Sequence, residues 1–244
     1  MIGMKPVPAN ASRRQFIQAS SLLGLGYVLK PFEGFPGGKL KPDHFLLGCS
    51  SLETGISFIK ELTGVEAVRG GQHPNIGTHN ALISLGGKSY LEIISPDPEA
   101  TNLVPAYLFL KKLHIPSLFL WAAGTDDMDE LLKRIEKAGY PSSGINPGSR
   151  QRPDGSVLKW RALSIETPVS DGVVPFFIEW DKSSRHPSAD SPKGCTISQF
   201  EIEYPEPENL KAVFNQLSIE VPVRAGTKSK LYLNIKSPKG IVSL

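Results

Sequence analysis

Short apolar runs of strand length, each followed by a stretch with apolar residues at every third or fourth position, recur along this chain. In the first pass, residues 44–49 read as a strand, and residues 52–62 place Leu52, Ile56, Ile59 and Leu62 on one helical face. Further strands are expected near 65–69, 79–85 and 89–95, which makes the unit βαβββ. In the second pass, residues 118–123 form an apolar strand. Thr125, Asp126 and Asp127 then cap a helix with a buried stripe of Met128, Leu131, Leu132, Ile135 and Ala138, and Gly139 stands where it stops. A turn-rich stretch, NPGSRQRPDG, leads to strands at 157–165 and 174–180, and the first returning strand of this unit has no clear pattern. A third, shorter pass has a strand at 197–204 and a helix at 207–217 with Leu210, Val213, Phe214 and Leu217 inward. Strands near 219–224, 230–236 and 240–244 complete it. Similarity between whole supersecondary units predicts an α+β fold of repeated βαβββ modules. The expected division is a first module at 42–100, a second at 101–190, and a C-terminal unit at 191–244 packed on the same domain.

Composition narrows the function classes. A hydrophobic content of 40% with 21% charged residues suits a globular body, and 244 residues are enough for one large core. The formal net charge is +3, yet the basic residues are scattered in short pairs such as Lys228 and Lys230 or Lys236 and Lys239. Without a basic run or interleaved aromatics, nucleic acid is not an expected partner. Cys49 and Cys195 have no metal-ligand spacing and read as separate buried thiols, which could pair in an exported protein. Walker, strand-linked GxGxxG and GxSxG motifs are missing from the sequence.

The amino-terminal segment, residues 1–30, resembles a twin-arginine export signal. Arg13 and Arg14 precede a mildly apolar run of residues 19–29 that is too short to span a bilayer. Export to the periplasm or cell envelope is therefore expected, the alternative being a basic N-terminal helix of a cytoplasmic protein. Residues 31–41, rich in Pro, Gly and Lys, read as a linker.

Candidate chemistry concentrates in residues 68–94 and just before them. Asp43-His44 opens the first strand, and Glu92 shares a strand face with Tyr90 and Ile94, where a buried carboxylate needs a cation or hydrogen-bond donors. His73 and His79 flank a glycine-containing turn with Asn80 beside them, which suits pocket lining or proton transfer. Arg150 and Arg152 precede a Pro-Asp-Gly turn leading to Trp160, a placement that suits the grip of a carboxylate or enolate oxygen.

Taken in order, Asp43-His44, GGQHPNIGTHNALISLG, YLEII, RQRPDGSVLKW, PFFIEW, His186-Pro187 and the tail KSPKGIVSL resemble the glyoxalase-like domain family of the vicinal oxygen chelate superfamily, over about residues 42–244. The resemblance implies curved mixed sheets around a pocket. It also implies a divalent ion (Mn, Fe, Ni or Zn), with ligands carried over to His44, Glu92 and Glu179. The second-module counterpart of His44 is Leu118, a departure from the family's four-ligand pattern. On this reading the protein is a metal-dependent isomerase, lyase or dioxygenase acting on a small oxygenated metabolite. Glu92 or His79 would move the proton, while His73, Asn80, Arg150, Arg152 and Trp160 would hold substrate. The alternative is a non-catalytic protein that sequesters a small molecule in the same cup. A homodimer is compatible with either.

Overall fold

Each long helix begins on a polar cap, and its apolar stripe decides how it lies. The computed structural model describes residues 40–152, 154–167, 169 and 171–244, so the twin-arginine-like segment and most of the linker lie outside the described residues. The Ser51 hydroxyl accepts the Thr54 N–H at 3.2 Å and starts helix α1 (Leu52–Thr63), which buries Leu52, Gly55 and Ile59. Asp127 does the same for helix α2 (Met128–Lys137) through the Glu130 N–H at 2.9 Å, with Met128, Leu131 and Ile135 buried.

Eight strands form one sheet: β1 (Lys41–Gly48), β2 (Val68–His73), β3 (Thr78–Ser84), β4 (Tyr90–Pro96), β5 (Ser117–Gly124), β6 (Asn146–Gln151), β7 (Val157–Leu163) and β8 (Phe176–Trp180). Their order is β2-β3-β4-β1-β5-β8-β7-β6, so each module contributes one half and the halves meet at the antiparallel pair β1 and β5. Within each half the first strand pairs in parallel with the last, β1 with β4 and β5 with β8. The outermost strands curl toward each other until the sheet is nearly closed into a cup. A Cβ added at Gly71 of β2 would lie 2.7 Å from the Gln151 carbonyl oxygen of β6, and one at Gly70 would lie 2.6 Å from an Arg150 nitrogen. Close approach across the cup therefore requires residues without side chains there.

Strand β6 falls inside the stretch read from sequence as turns. NPGSRQ carries no apolar residue, so its strand character comes from pairing alone, from Asn146 opposite Ala162 to Gln151 opposite Val157. Gly148 belongs to this pairing because the Trp160 indole lies across it; a Cβ there would sit 2.4 Å from the ring. Between the modules, a 3-10 helix (Pro105–Lys112) runs along β4 with Leu110 buried. The segment before it is pinned to the β2–β3 turn at Gly77, whose φ of +74° and closeness to the Asn102 carbonyl exclude a side chain.

A short helix α3 (Pro187–Asp190) leads into the C-terminal unit. There helix α4 (Pro207–Leu217) accompanies a second sheet of β9 (Thr196–Tyr204), β10 (Val223–Ala225), β11 (Lys230–Ser237) and β12 (Gly240–Ser243), in the order β10-β9-β11-β12. This unit packs on the convex side of the large sheet. Phe200 of β9 meets Phe45 edge-on at 4.7 Å and Trp121 at 5.1 Å, and Trp121 also meets Phe214 of α4 at 6.3 Å. Trp121 is fully buried and donates its indole N–H to the Val173 carbonyl at 2.8 Å, so its one polar atom is satisfied. One apolar core thus joins both modules and the third unit. Cys49 and Cys195 are buried free thiols, and no described helix is long and apolar enough to cross a membrane.

Candidate active site

Strand alternation sorts the polar residues into those that face the concave side and those that do not. An irregularity in the β1–β5 pairing between Pro42 and His44 leaves Asp43 unpaired, so Asp43 and His44 both turn inward. His44 stacks on Tyr90 of β4 with ring centroids 4.7 Å apart, and its Nδ1 lies 2.7 Å from Asp43 Oδ1. Its Nε2 faces Glu92 Oε2 at 3.5 Å. Glu92 Oε1 accepts the Asn80 amide at 2.6 Å, and His73 Nε2 lies 3.7 Å from the same oxygen. His73 Nδ1 is 3.0 Å from the Thr78 hydroxyl, while the Asn80 oxygen accepts Arg150 Nη1 at 3.1 Å. His44, Asn80, Glu92 and Arg150 are all buried. Of the five N–H donors of its guanidinium, Arg150 gives one to Asn80, the one side-chain hydrogen bond it makes to the described residues.

Burial opposes ionisation of Glu92, but the His73 and His44 imidazoles, the Asn80 donor and Arg150 outweigh it, and the carboxyl sits below its usual value. Asp43 is likewise held low: burial works against it, and hydrogen bonds from His186 and His44 overcome that. His73 is lowered chiefly by burial, so its neutral form is favoured; the charge of Glu92 opposes this only in part. Tyr107, on the 3-10 helix and edge-on to Phe119 at 6.4 Å, is pushed up to about 12 by burial and by the charge of Glu92. It therefore keeps its O–H.

These shifts predict how stability depends on pH. Below the ordinary imidazole value of about 6.5 the unfolded chain takes up protons that folded His73 does not. Stability should begin to fall there, before any carboxylate titrates. Asp43 and Glu92, lowered in the fold, contribute fully above the ordinary carboxylate range, and that contribution is lost as pH falls through their folded values. Urea midpoints measured from pH 8 to pH 4 should decline in two stages, and His73→Asn should remove part of the first. A midpoint independent of pH down to the carboxylate range would contradict the burial of His73.

Of the residues singled out from sequence, His44, His73, Asn80, Glu92 and Arg150 converge on this cluster. Trp160 lines the concave wall beside Trp180, with ring centroids 5.6 Å apart. Arg152 lies outside the cluster, paired with Asp190 and donating to the Arg185 carbonyl. His79 and Glu179 lie apart from the cluster. His79 follows Thr78 and precedes Asn80 on β3, so alternation turns it to the convex face, near Arg69 and Asp97. Glu179 alternates with Ile178 and Trp180 and accepts Arg161 Nε at 2.7 Å; the same Arg161 reaches Asp129 of α2 at 2.8 Å. Tyr107 and the bonds from Trp180 and His186 to Asp43 carried no local signal in the sequence, because their neighbours come from distant segments.

The residues do not fit a divalent ion of the four-ligand kind. Among the described residues, no group of three or more His, Cys, Asp or Glu side chains is arranged to hold a metal. The Asn80 amide nitrogen, 3.4 Å from His73 Nε2 and 2.6 Å from Glu92 Oε1, fills the space between those two donors. The second module sets Ala122 opposite His44 and the Phe176 ring 5.4 Å from it, where ligands would be needed. The nearby Arg150 guanidinium adds a cation of its own.

The sequence profile described as a glyoxalase-like domain matches residues 43–218. Among curated proteins none matches the chain. A Staphylococcus aureus protein described as hypothetical is similar in structure, with a TM-score of 0.61 at 18% identity over 78% of this chain and 88% of that one. Methylmalonyl-CoA epimerase of Streptomyces coelicolor gives a TM-score of 0.44 at 20% identity, over 58% of this chain and 98% of that one. The Mycobacterium tuberculosis epimerase gives 0.42 at 16%, over 60% and 93%. The first likeness concerns the fold alone, and the epimerase likenesses are too weak to carry an argument.

Proposed function

The chain belongs to the glyoxalase-like domain family, and from that premise we propose that it is an enzyme moving a proton on a small oxygenated metabolite. The reaction is of the isomerase or lyase type, at a carbon next to a carbonyl. One observation carries this reading: an imidazole and a carboxylate, both buried, face each other at 3.5 Å beside a buried guanidinium that is linked to them through Asn80. His44 Nε2 takes the proton as general base, with Nδ1 anchored on Asp43. Glu92, within reach of the same proton, shares it or returns it to the neighbouring carbon. Arg150 meets the charge that develops on the carbonyl oxygen, in a water-poor site where such donors are most effective. His73 and Asn80 hold Glu92 in place and line the cup. No step is routed through a metal ion, because the donor set does not fit one.

The test is deuterium incorporation. Protein in D2O with a panel of small 2-oxo and 2-hydroxycarbonyl acids, followed by proton NMR, should erase the α C–H signal of at least one member faster than buffer does. Dialysis against a chelator should leave that rate within about twofold, since the acid–base pair by itself supplies a rate factor of about 10²–10⁴. A chelator-sensitive rate would point to metal chemistry and against proton transfer by His44 and Glu92 alone. Binding of apolar ligands with no exchange on any panel member would favour sequestration, the reading that the indole wall of Trp160 and Trp180 supports.

A further inference from the structure

Asp43 is a buried carboxylate that takes no proton from substrate in the reaction above, yet three nitrogen donors converge on it. His44 Nδ1 approaches Oδ1 at 2.7 Å, while Trp180 Nε1 and His186 Nε2 each approach Oδ2 at 3.0 Å. Those partners come from distant parts of the chain, β8 and the residue that caps α3.

The direction of each bond follows from donor chemistry. An indole N–H only donates, so Asp43 accepts from Trp180. The Ser188 backbone N–H lies 3.2 Å from His186 Nδ1 and the Ser188 hydroxyl 2.8 Å, so Nδ1 accepts. That leaves the His186 proton on Nε2, pointing at Asp43. With Oδ2 taken by two donors and the carboxyl held in its ionised form, Oδ1 is oriented to accept from His44 Nδ1. Nε2 of His44 then carries the lone pair on the side where Glu92 Oε2 lies at 3.5 Å, beyond hydrogen-bond length, and where substrate would enter. Rings fix the assembly laterally: Tyr90 lies between His44 at 4.7 Å and His186 at 5.7 Å, and Trp180 meets His186 at 5.4 Å.

We propose that His186 is a positioning residue that, together with Trp180, orients Asp43 so that His44 carries its proton on Nδ1 and keeps Nε2 free for substrate. Its effect on turnover rests on the proton-transfer reading, whereas its effect on the tautomer does not. A carboxylate that lost the donors on Oδ2 could rotate or take up a proton, and His44 would no longer be held in one tautomer. Neutral imidazole exists in two such forms, and the partner of one nitrogen decides which is present.

Histidine-labelled protein, studied by nitrogen NMR of the imidazole rings, tests this directly. Wild type should show His44 as the Nδ1–H form. In His186→Ala that signal should become a mixture of the two tautomers. In His186→Gln, whose amide can donate to the same oxygen, it should return. The exchange assay should show kcat lower by about tenfold in the alanine variant with KM within about twofold, and most of the rate restored in the glutamine variant. Trp180→Phe removes the other donor to Oδ2, keeps a ring in place, and should move the tautomer the same way, which serves if His186→Ala does not fold. His44 with its proton on Nε2 in wild type, or identical in all these proteins, overturns the proposal. A tautomer shift without any exchange activity in wild type would uphold it and refute the proton-transfer function instead.

Discussion

Replacing His44 with alanine is expected to slow α-proton exchange by a factor of about 10²–10⁴, the usual contribution of a positioned general base. The change removes the group that touches both Asp43 and Glu92 and leaves the second carboxylate without its acid–base partner. Glu92→Gln should be almost as damaging, since the amide keeps the shape and the Asn80 contact but cannot hold the proton. Because the two groups act as a unit, the double variant should be little slower than the worse single one. Fully additive losses would mean that the two act on separate steps. A His44→Ala protein exchanging at the wild-type rate would remove the imidazole from the chemistry altogether. Folding must be checked alongside, because Asp43 loses the nearest of its donors in this variant.

The largest stability effect is expected far from the cup. Trp121→Ala should lower unfolding free energy by about 3–5 kcal/mol, the range for deleting a large buried aromatic side chain. Trp121 sits where β5, β9 and α4 meet, so the change opens a cavity between the large sheet and the C-terminal unit. It also leaves the Val173 carbonyl without its indole donor, at a cost of about 1 kcal/mol. Urea unfolding of the variant against wild type measures the sum, and amide exchange in β9 should accelerate as the unit loosens. A shift below about 1 kcal/mol, the size of an ordinary substitution, would show that the C-terminal unit is held by other contacts.

Helices and the apolar strands were legible in the sequence because their information is local. Ser51 and Asp127 cap where the pattern begins, and the stripe of α4 matches the residues the fold buries, while in α1 Ile56 and Leu62 and in α2 Leu132 are only partly buried against the core. Strand β6 was not, since Asn146, Pro147 and Gly148 read as turn and only the partner strand makes them sheet. The site was legible by half. His44 and Glu92 could be paired through their strands, and His73, Asn80 and Arg150 were named without a view of how they meet. Glu179 stands elsewhere. It was carried over by resemblance from the last strand of the module, and alternation sets it on the face opposite Ile178 and Trp180. His79 and Asn80 are adjacent on a strand and could not both face inward.

The near-closure of the large sheet has a consequence for life in a crowded solution. An open sheet offers its outer strand's free amides and carbonyls to any passing chain, which is how ordered aggregates start. Here β2 and β6 approach each other closely, at Gly71 and Gln151, and the second sheet ends on strands of only three residues, Val223–Ala225, and four, Gly240–Ser243. Among the described residues, the edges of the second sheet leave little ladder for another molecule to extend. Association between copies would have to rely on matching side chains instead, a contact that selection can tune or abolish one residue at a time.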